Sequence, residues 1–130
     1  MDRILLDTDV IIWYLRGRES TRAWVLESGK HDVPRCSAPS ITEVVAGMRP
    51  KEKPATREFL QALRVIDVDH GVGWLAGDLV RSYRRRGITL DFVDATIAAT
   101  CLRHHLALAT YNAKHYPIHE LRFARGPSSR

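Results

Sequence analysis

Short apolar runs alternate along the chain with longer segments whose apolar residues recur at helical spacing. The short runs predict strands at residues 4–6, 33–38, 64–68 and 106–110, with a possible edge strand at 121–124. The longer segments predict helices at residues 10–15, 19–28, 40–48, 56–63, 70–86 and 91–105. Because strands and helices alternate, the pattern predicts an α/β fold with a central, mostly parallel sheet of roughly four to five strands, flanked by helices.

The segment 70–86 is a clear example of a helix marked by its apolar spacing. Val72, Leu75 and Leu79 fall on one apolar stripe, and Gly87 follows the last turn. That turn carries consecutive arginines, which are favourable beside the negative end of a helix dipole. The pattern therefore predicts a long amphipathic helix.

Length and composition indicate a single globular domain. The chain has 130 residues, of which 45% are hydrophobic and 27% are charged. We expect the domain to span residues 1–124, followed by a disordered tail at 125–130. No apolar run is long enough to cross a bilayer, and the first residues do not resemble a secretory signal. We therefore expect a cytoplasmic protein without a membrane segment.

Charge and cysteine usage narrow the candidate partners and cofactors. The net charge is +5 and the pI is near 9.6, which favours a polyanionic partner. Cys36 and Cys101 stand far apart and lack metal-site spacing, so we expect buried thiols in a reducing compartment. The histidines are scattered, and the chain has no Cys/His cluster that would predict zinc.

Two aspartates interrupt the first apolar run, "ILLDTDVII" at residues 4–12. Asp7 and Asp9 directly follow the first predicted strand, and Thr110 and Asn112 follow a late one. In open parallel sheets, ligands gather at the carboxyl ends of the strands. We therefore expect these four side chains to share one rim of the sheet.

Taken singly, the acidic residues near this rim all have structural explanations. Ser40 and Glu43 have the spacing of a capping box, in which each side chain satisfies a backbone N–H of the other residue. Asp91 is a candidate N-cap, with Asp94 in the first turn of the same helix. Either Asp7 or Asp9 could likewise cap the helix that follows the first strand. Helix capping therefore remains an alternative explanation for each of these acids.

Taken together, the same acids predict a metal site. The α/β topology brings Asp7, Glu43 and Asp94 to one rim, with Asp9 and Asp91 nearby. Such carboxylates repel one another unless a cation neutralises them or some of them hold a proton. An all-oxygen ligand set favours Mg²⁺, or else Mn²⁺, over zinc. Within a basic chain, this combination suits a metal-dependent nuclease.

Four stretches of the chain, in this order, resemble those of one family. They are "ILLDTDVII" at 4–12, "SITEVVAG" at 40–47, "DATIAAT" at 94–100 and "LATYNAKHY" at 108–116. With them the sequence resembles PIN domains, and specifically the VapC-type toxin ribonucleases of bacterial toxin–antitoxin pairs. The resemblance covers residues 4–124 and implies a single PIN-like domain.

The resemblance assigns roles to individual acids. Asp7, Glu43 and Asp94 correspond to the metal-binding, catalytic acids of the family. Four further residues are implied as supporting members of the site: Thr8, Asp91, Thr110 and Asn112. Family members often carry a fourth acid at the position of Asn112, which Asp91 could replace. Asp9 stands where a small polar residue is commoner, and its role is open.

The implied activity is metal-assisted hydrolysis of RNA that leaves a 5′-phosphate and a 3′-hydroxyl, with Mg²⁺ as cofactor and Mn²⁺ as an alternative. The implied partners are an RNA substrate, a small cognate antitoxin and a second copy of the chain in a homodimer. Arg84, Arg85 and Arg86 are candidate contacts to RNA phosphates, although a solvated helix end explains them equally well.

Two other functions fit parts of the sequence. A phosphatase of the haloacid dehalogenase type would use Asp7 as nucleophile and Asp9 as general acid, but it would give Glu43 no role and lacks a convincing lysine motif. A catalytically degenerate PIN-like module that binds RNA or a protein partner is the second alternative, because Asn112 replaces the usual acid.

Overall fold

One parallel sheet organises the computed structural model, which describes residues 3–126. Its strands are β1 (Ile4–Leu6), β2 (Arg35–Ser37), β3 (Arg64–Ile66) and β4 (Ala107–Ala109). They lie in the order β3-β2-β1-β4, so β1 is an inner strand between β2 and β4. The predicted α/β fold with a parallel central sheet is therefore confirmed.

Helices connect the strands and cover both faces of the sheet. They are α1 (Thr8–Leu15), α2 (Glu19–Gly29), α3 (Ala38–Gly47), α4 (Lys53–Ala62), α5 (His70–Arg85) and α6 (Phe92–His104). Two single 3₁₀ turns, at Pro50–Glu52 and Ala113–His115, complete the regular structure of the described residues.

The alternation of side chains along β1 divides the core into two layers. Leu5 packs on one face of the sheet with buried residues of α5 and α6, including Val72 and Ile97. Leu6 packs on the other face with residues of α1 and α3, including Val10 and Val44. Because neighbouring side chains of a strand point to opposite faces, a shift of one residue would exchange these layers. Burial on both faces thus holds the register of β1.

Proline and aspartate place two helix starts earlier than expected. Helix α1 begins at Thr8 rather than Val10, because Asp7 Oδ1 accepts a hydrogen bond from the Thr8 N–H (2.8 Å). Helix α3 begins at Ala38, with a proline in its first turn, whereas the sequence pattern placed its start at residue 40. The predicted capping box of Ser40 and Glu43 is therefore wrong, since both residues lie inside the helix.

The C-terminal part only partly matches its prediction. The edge strand expected at 121–124 is a single parallel bridge between Leu108 and Phe123. Of the tail expected at 125–130, Arg125 is held through its carbonyl, which accepts a hydrogen bond from Trp24 Nε1 (3.0 Å). Residues 127–130 of that predicted tail lie outside the described residues, as do the first two residues of the chain.

Both cysteines are buried free thiols, as expected. Burial raises the pKa of Cys36 to about 11, and burial, followed by the charge of Asp7, raises the pKa of Cys101 well above its usual range. Both side chains therefore stay protonated near neutral pH and behave as small apolar groups. None of the helices within residues 3–126 is long and apolar enough to cross a membrane.

The core layer between α6 and the sheet should carry much of the stability. Ile97 is fully buried, so Ile97→Ala should lower the free energy of unfolding by about 2–5 kcal/mol through lost burial and a residual cavity. Leu26 is 60% exposed, and Leu26→Ala, as the control, should cost less than about 0.5 kcal/mol. Urea unfolding followed by circular dichroism measures both, and equal effects would contradict this account of the core.

Candidate active site

Asp7 stands where β1 ends and α1 begins. Its N–H donates to the carbonyl of Ala109 (2.9 Å), which continues the pairing of β1 with β4, and its side chain caps α1. Only 7% of Asp7 is exposed. A carboxylate buried to this extent needs hydrogen-bond partners for both oxygens, because water cannot supply them.

Two hydroxyl groups satisfy the second oxygen of Asp7. Thr110 Oγ1 and the Tyr116 hydroxyl both donate to Asp7 Oδ2, at 2.8 and 2.9 Å. The Tyr116 hydroxyl also lies 3.3 Å from Asp94 Oδ1, so it bridges the two acids. Burial, and then the charges of Asp7 and Asp94, raise the pKa of Tyr116 well above its usual range. Tyr116 therefore keeps its proton and acts as a hydrogen-bond donor.

Helix α6 brings Asp94 to the same rim. Asp91 caps this helix as predicted, because its Oδ2 accepts from the N–H groups of Val93 (3.0 Å) and Asp94 (3.2 Å). Asp94 follows in the first turn. Burial is the largest cause that raises the pKa of Asp94, to about 6, and the charges of Asp7 and Asp91 add to it. Asp94 thus lies in a field of negative charge.

Asp9 is tied to the segment that follows β4. Its Oδ2 accepts hydrogen bonds from the Tyr111 N–H (3.0 Å) and Asn112 Nδ2 (2.9 Å), and Thr110 Oγ1 lies 3.4 Å away. Its Oδ1 is buried and has no hydrogen-bond partner within the described residues. Burial, followed by the charge of Asp7, raises the pKa of Asp9 to about 6. Asp7, Asp9 and Asp94 are therefore electrostatically coupled.

Glu43 reaches the rim from α3 and not from a helix cap. The Thr8 hydroxyl donates to Glu43 Oε1 (2.6 Å) and is also hydrogen-bonded to Ser40 Oγ (2.9 Å). Thr8 also donates its N–H to Asp7. Thr8 thus links Glu43 to Asp7, while the Glu43 side chain itself is exposed.

The chemistry of these donors fits a hard divalent cation. Within residues 3–126, salt bridges join Glu27, Asp32 and Asp78 to basic partners, but none joins a site acid. The rim therefore presents coupled carboxylates with one unsatisfied buried oxygen, and oxygen donors of this kind suit Mg²⁺ or Mn²⁺. In the same part of the chain, no three acidic, histidine or cysteine side chains stand close enough to surround an ion.

The arginine end of α5 lies beside the start of α6. Arg81 and Arg84 line a groove of about 400 Å³ together with Phe92 and Thr96 of α6. Arg84, Arg85 and Arg86 are all exposed, and the Arg86 guanidinium stacks 4.5 Å above the Tyr83 ring. Of the predicted phosphate contacts, Arg84 therefore lies in the groove beside the first turns of α6, and Arg85 and Arg86 are exposed at the end of α5.

Sequence reasoning missed the roles of Tyr116 and Ser40 in the site. Tyr116 closes the stretch "LATYNAKHY", but a tyrosine in that place also reads as an ordinary core aromatic. Only the contacts of its hydroxyl with Asp7 and Asp94 show that Tyr116 belongs to the site and is not simply a core aromatic. The sequence pattern predicts a helix cap at Ser40, and the structure instead buries Ser40 against Thr8.

Known proteins resemble this chain over most of its length. Residues 4–121 match the sequence model of the PIN domain. The chain is 36% identical over 117 residues to ribonuclease VapC10 of Mycobacterium tuberculosis, in a match that covers 90% of this chain and 88% of the relative. It is 29% identical to ribonuclease VapC19 of the same organism, with coverage of 88% of this chain and 92% of that relative.

Solved structures show the same fold. The crystal structure of FitAcB from Neisseria gonorrhoeae has a TM-score of 0.75 and 29% identity, and it covers 94% of this chain and 96% of its own. The DNA-bound VapBC of Salmonella typhimurium has a TM-score of 0.84 at 20% identity, with coverage of 95% and 98%.

The raised pKa of Asp94 should appear in the stability of the metal-free protein. Because the folded state binds this proton more tightly, the stabilisation is full below the unfolded pKa of 3.8, is still largely present at pH 4, and is lost as pH rises through about 6. Asp94→Asn imitates the protonated acid. Its free energy of unfolding relative to wild type should therefore rise by about 1–2 kcal/mol between pH 4 and pH 8, less than the full shift implies because Asp94 is partly exposed.

Urea unfolding in EDTA measures this difference, and Asp32→Asn is the control of opposite sign. The Arg35 guanidinium lowers the pKa of Asp32, so that acid stabilises the fold above its unfolded pKa and loses the effect as pH falls. Asp32→Asn should therefore destabilise the fold from pH 8 down to about pH 4, without the growth toward high pH that is expected of Asp94→Asn, and this cost should disappear only as the pH falls further, through the lowered pKa of Asp32. An Asp94→Asn effect that does not grow with pH would contradict the electrostatic description of the site.

Tyr116→Phe should test the bridge between Asp7 and Asp94. The ring stays, but the donor to both acids is lost, so the free energy of unfolding should fall by about 1–2 kcal/mol. Loss of this hydrogen bond should also move the pKa of Asp94 further upward, because the bond lowers it. Chemical denaturation and carboxyl NMR titration measure the two effects. Tyr14→Phe, on a ring stacked against Phe59, is the matched control and should leave the titration of Asp94 unchanged.

Proposed function

The chain belongs to the PIN-domain family, and we propose that it is a metal-dependent endoribonuclease that acts as the toxin of a toxin–antitoxin pair. The observation that carries the proposal is the linkage of Asp7 to Asp94 through the Tyr116 hydroxyl, and of Asp7 to Glu43 through Thr8, at the rim where β1 and β4 end. Relatives named ribonuclease VapC10 and VapC19 align over most of the chain and support the activity.

Asp7 and Asp94 would hold Mg²⁺, or Mn²⁺ in its place, with Glu43 at the outer edge of the site. When bound, the cation supplies a Lewis acid for the phosphoryl oxygens and lowers the pKa of attacking water. Thr110 and Tyr116 orient the carboxylate of Asp7 through their hydroxyls. Fixed orientation of this kind lowers the reorganisation needed during the reaction.

The reaction adds water across the bond between phosphorus and the 3′-oxygen of RNA. The water oxygen bonds to phosphorus, the 3′-oxygen leaves with a proton, and the products carry a 5′-phosphate and a 3′-hydroxyl. Glu43 is exposed and faces the rim, so it is placed to accept a proton from the attacking water. Thr8 holds the Glu43 carboxylate in that position.

RNA reaches the site along a positively charged surface. The net charge of +5 attracts a polyanion, and Arg84, Arg85 and Arg86 extend from the end of α5 beside α6. Contacts of this kind bind phosphates without reading sequence. They would fix the strand near Asp94 and leave the choice of RNA to other surfaces.

The partners we propose are a small cognate antitoxin and a second copy of the chain. Structures that share the fold include a toxin–antitoxin complex from Klebsiella pneumoniae, at 24% identity and a TM-score of 0.76. Exposed large apolar side chains, such as Trp74 at 68% and Phe92 at 70%, are also surfaces that a protein partner would cover. Buried free cysteines suit a reducing cytoplasm.

Membership in the PIN family sets aside the dehalogenase-type phosphatase as an explanation of "ILLDTDVII". An RNA cleavage assay distinguishes a nuclease from the degenerate binding module.

Asp7→Asn and Asp94→Asn should each lower RNA cleavage by at least about 100-fold, because each removes a charged metal ligand. Asparagine also caps helices well, so Asp7→Asn should keep the start of α1. Cleavage of a mixed RNA pool with Mg²⁺ measures the effect, EDTA should abolish the activity, and Asp67→Asn in an exposed loop is the matched control.

Two further readouts complete this test. Mapping of the new RNA ends should find 5′-phosphates, and induction in a bacterial host should arrest growth for wild type but not for Asp94→Asn. The nuclease proposal fails if wild type and Asp94→Asn leave the same RNA products under Mg²⁺ and Mn²⁺. That result would favour the degenerate binding module.

A further inference from the structure

We infer that Asp9 is an additional carboxylate of the metal site and that Asn112 is its positioning residue. The inference rests on the proposed function, since it concerns the ion which that function requires. In this inference Asp9 supplies a carboxylate from α1, and Asn112 orients that carboxylate.

The first step is the arrangement of donors around Asp9. The backbone N–H of Tyr111 and the side-chain amide of Asn112 both donate to the same oxygen, Oδ2, at 3.0 and 2.9 Å. Two N–H donors on one oxygen fix the plane and direction of a carboxylate. The amide of Asn112 is therefore used to orient Asp9.

The second step is the oxygen left over. Asp9 Oδ1 is buried and has no hydrogen-bond partner within residues 3–126. A buried carboxylate oxygen without a partner costs free energy, and proteins satisfy such a group with a donor, a proton or a cation. Because the Tyr111 N–H and the Asn112 amide hold Oδ2 in place, Oδ1 does not rotate toward these two donors.

The third step is the position of Asp9 relative to Asp7. The Thr110 hydroxyl lies within hydrogen-bond range of both carboxylates, at 2.8 Å from Asp7 Oδ2 and 3.4 Å from Asp9 Oδ2. The Asn112 N–H donates to the same hydroxyl (3.0 Å). Asn112 thus organises both the contact to Asp7 and the contact to Asp9, and the two carboxylates lie on either side of one hydroxyl group.

A purely structural role for Asp9 is the competing explanation. In that case Asp9 only ties the start of α1 to the segment after β4, and an amide in its place would leave metal affinity unchanged. A carboxylate that takes part in the site behaves differently, because its charge contributes to the affinity for the ion. Metal affinity measured on folded variants separates the two roles.

The test is calorimetric titration of the purified full chain with Mn²⁺, with electron paramagnetic resonance of free Mn²⁺ as a second readout. Asp9→Asn should weaken Mn²⁺ binding by at least about 10-fold, and Asn112→Ala by about 10-fold through lost orientation. Asp67→Asn removes the same charge from an exposed loop and should bind Mn²⁺ as wild type does. Thermal unfolding in EDTA verifies that each variant is folded.

The inference is overturned if folded Asp9→Asn and Asn112→Ala bind Mn²⁺ with wild-type affinity. If Asp9→Asn does not fold, Asn112→Ala decides alone, because it leaves all acids in place. Failure of the inference differs from failure of the proposed function: in the first case wild type still binds Mn²⁺ and cleaves RNA. A wild type that neither binds Mn²⁺ nor cleaves RNA would refute both.

Discussion

The structure depends on one electrostatic constraint, which is that several carboxylates must be held together at the end of an inner strand. Two helices begin there, α1 at Asp7 and α6 at Asp91, and each offers the positive end of its dipole and unpaired N–H groups to an acid. The hydroxyls of Thr110 and Tyr116 add neutral donors. These groups offset only part of the repulsion, since burial and charge still raise the pKa values of Asp9 and Asp94 to about 6. The remainder is what a cation would neutralise.

The sheet makes this arrangement possible in two ways. Its strand order brings the acids to one edge, and the packing of its core fixes their position. With β1 between β2 and β4, the residues after β1 and β4 meet at one edge, so Asp7 reaches Thr110 although 103 residues separate them. Buried side chains on both faces of β1 fix its register, and one step of slippage would turn Leu5 and Leu6 to the wrong layers. The same slip would move Asp7 away from its donors. Core packing and site geometry are therefore one constraint.

Sequence reasoning reached the parts of this arrangement that follow from period and topology. The first strand, the cap at Asp91 and the rim shared by Asp7, Asp9, Thr110 and Asn112 need only the alternation of elements and the rule for strand ends. The same topology also predicts Glu43 near the rim, whereas the capping box that would explain Glu43 structurally is wrong, since a proline in the first turn starts α3 at Ala38. Tyr116 and the pairing of Asp9 with Asn112 depend on contacts between distant segments, and no local spacing encodes them.

The charged rim also explains why stability and function oppose each other in this fold. Protons and a divalent cation satisfy the same oxygens, so conditions that favour the metal-free fold also weaken the site. The two-layer core and the caps at Asp7 and Asp91 stabilise the fold enough to tolerate Asp9 and Asp94, whose pKa values are raised by burial and by neighbouring charge. Replacing these acids with neutral residues would relieve the electrostatic repulsion and would also remove the oxygens that bind the cation. A site of this kind is therefore stable only where core packing and helix caps outside it offset the repulsion between its acids.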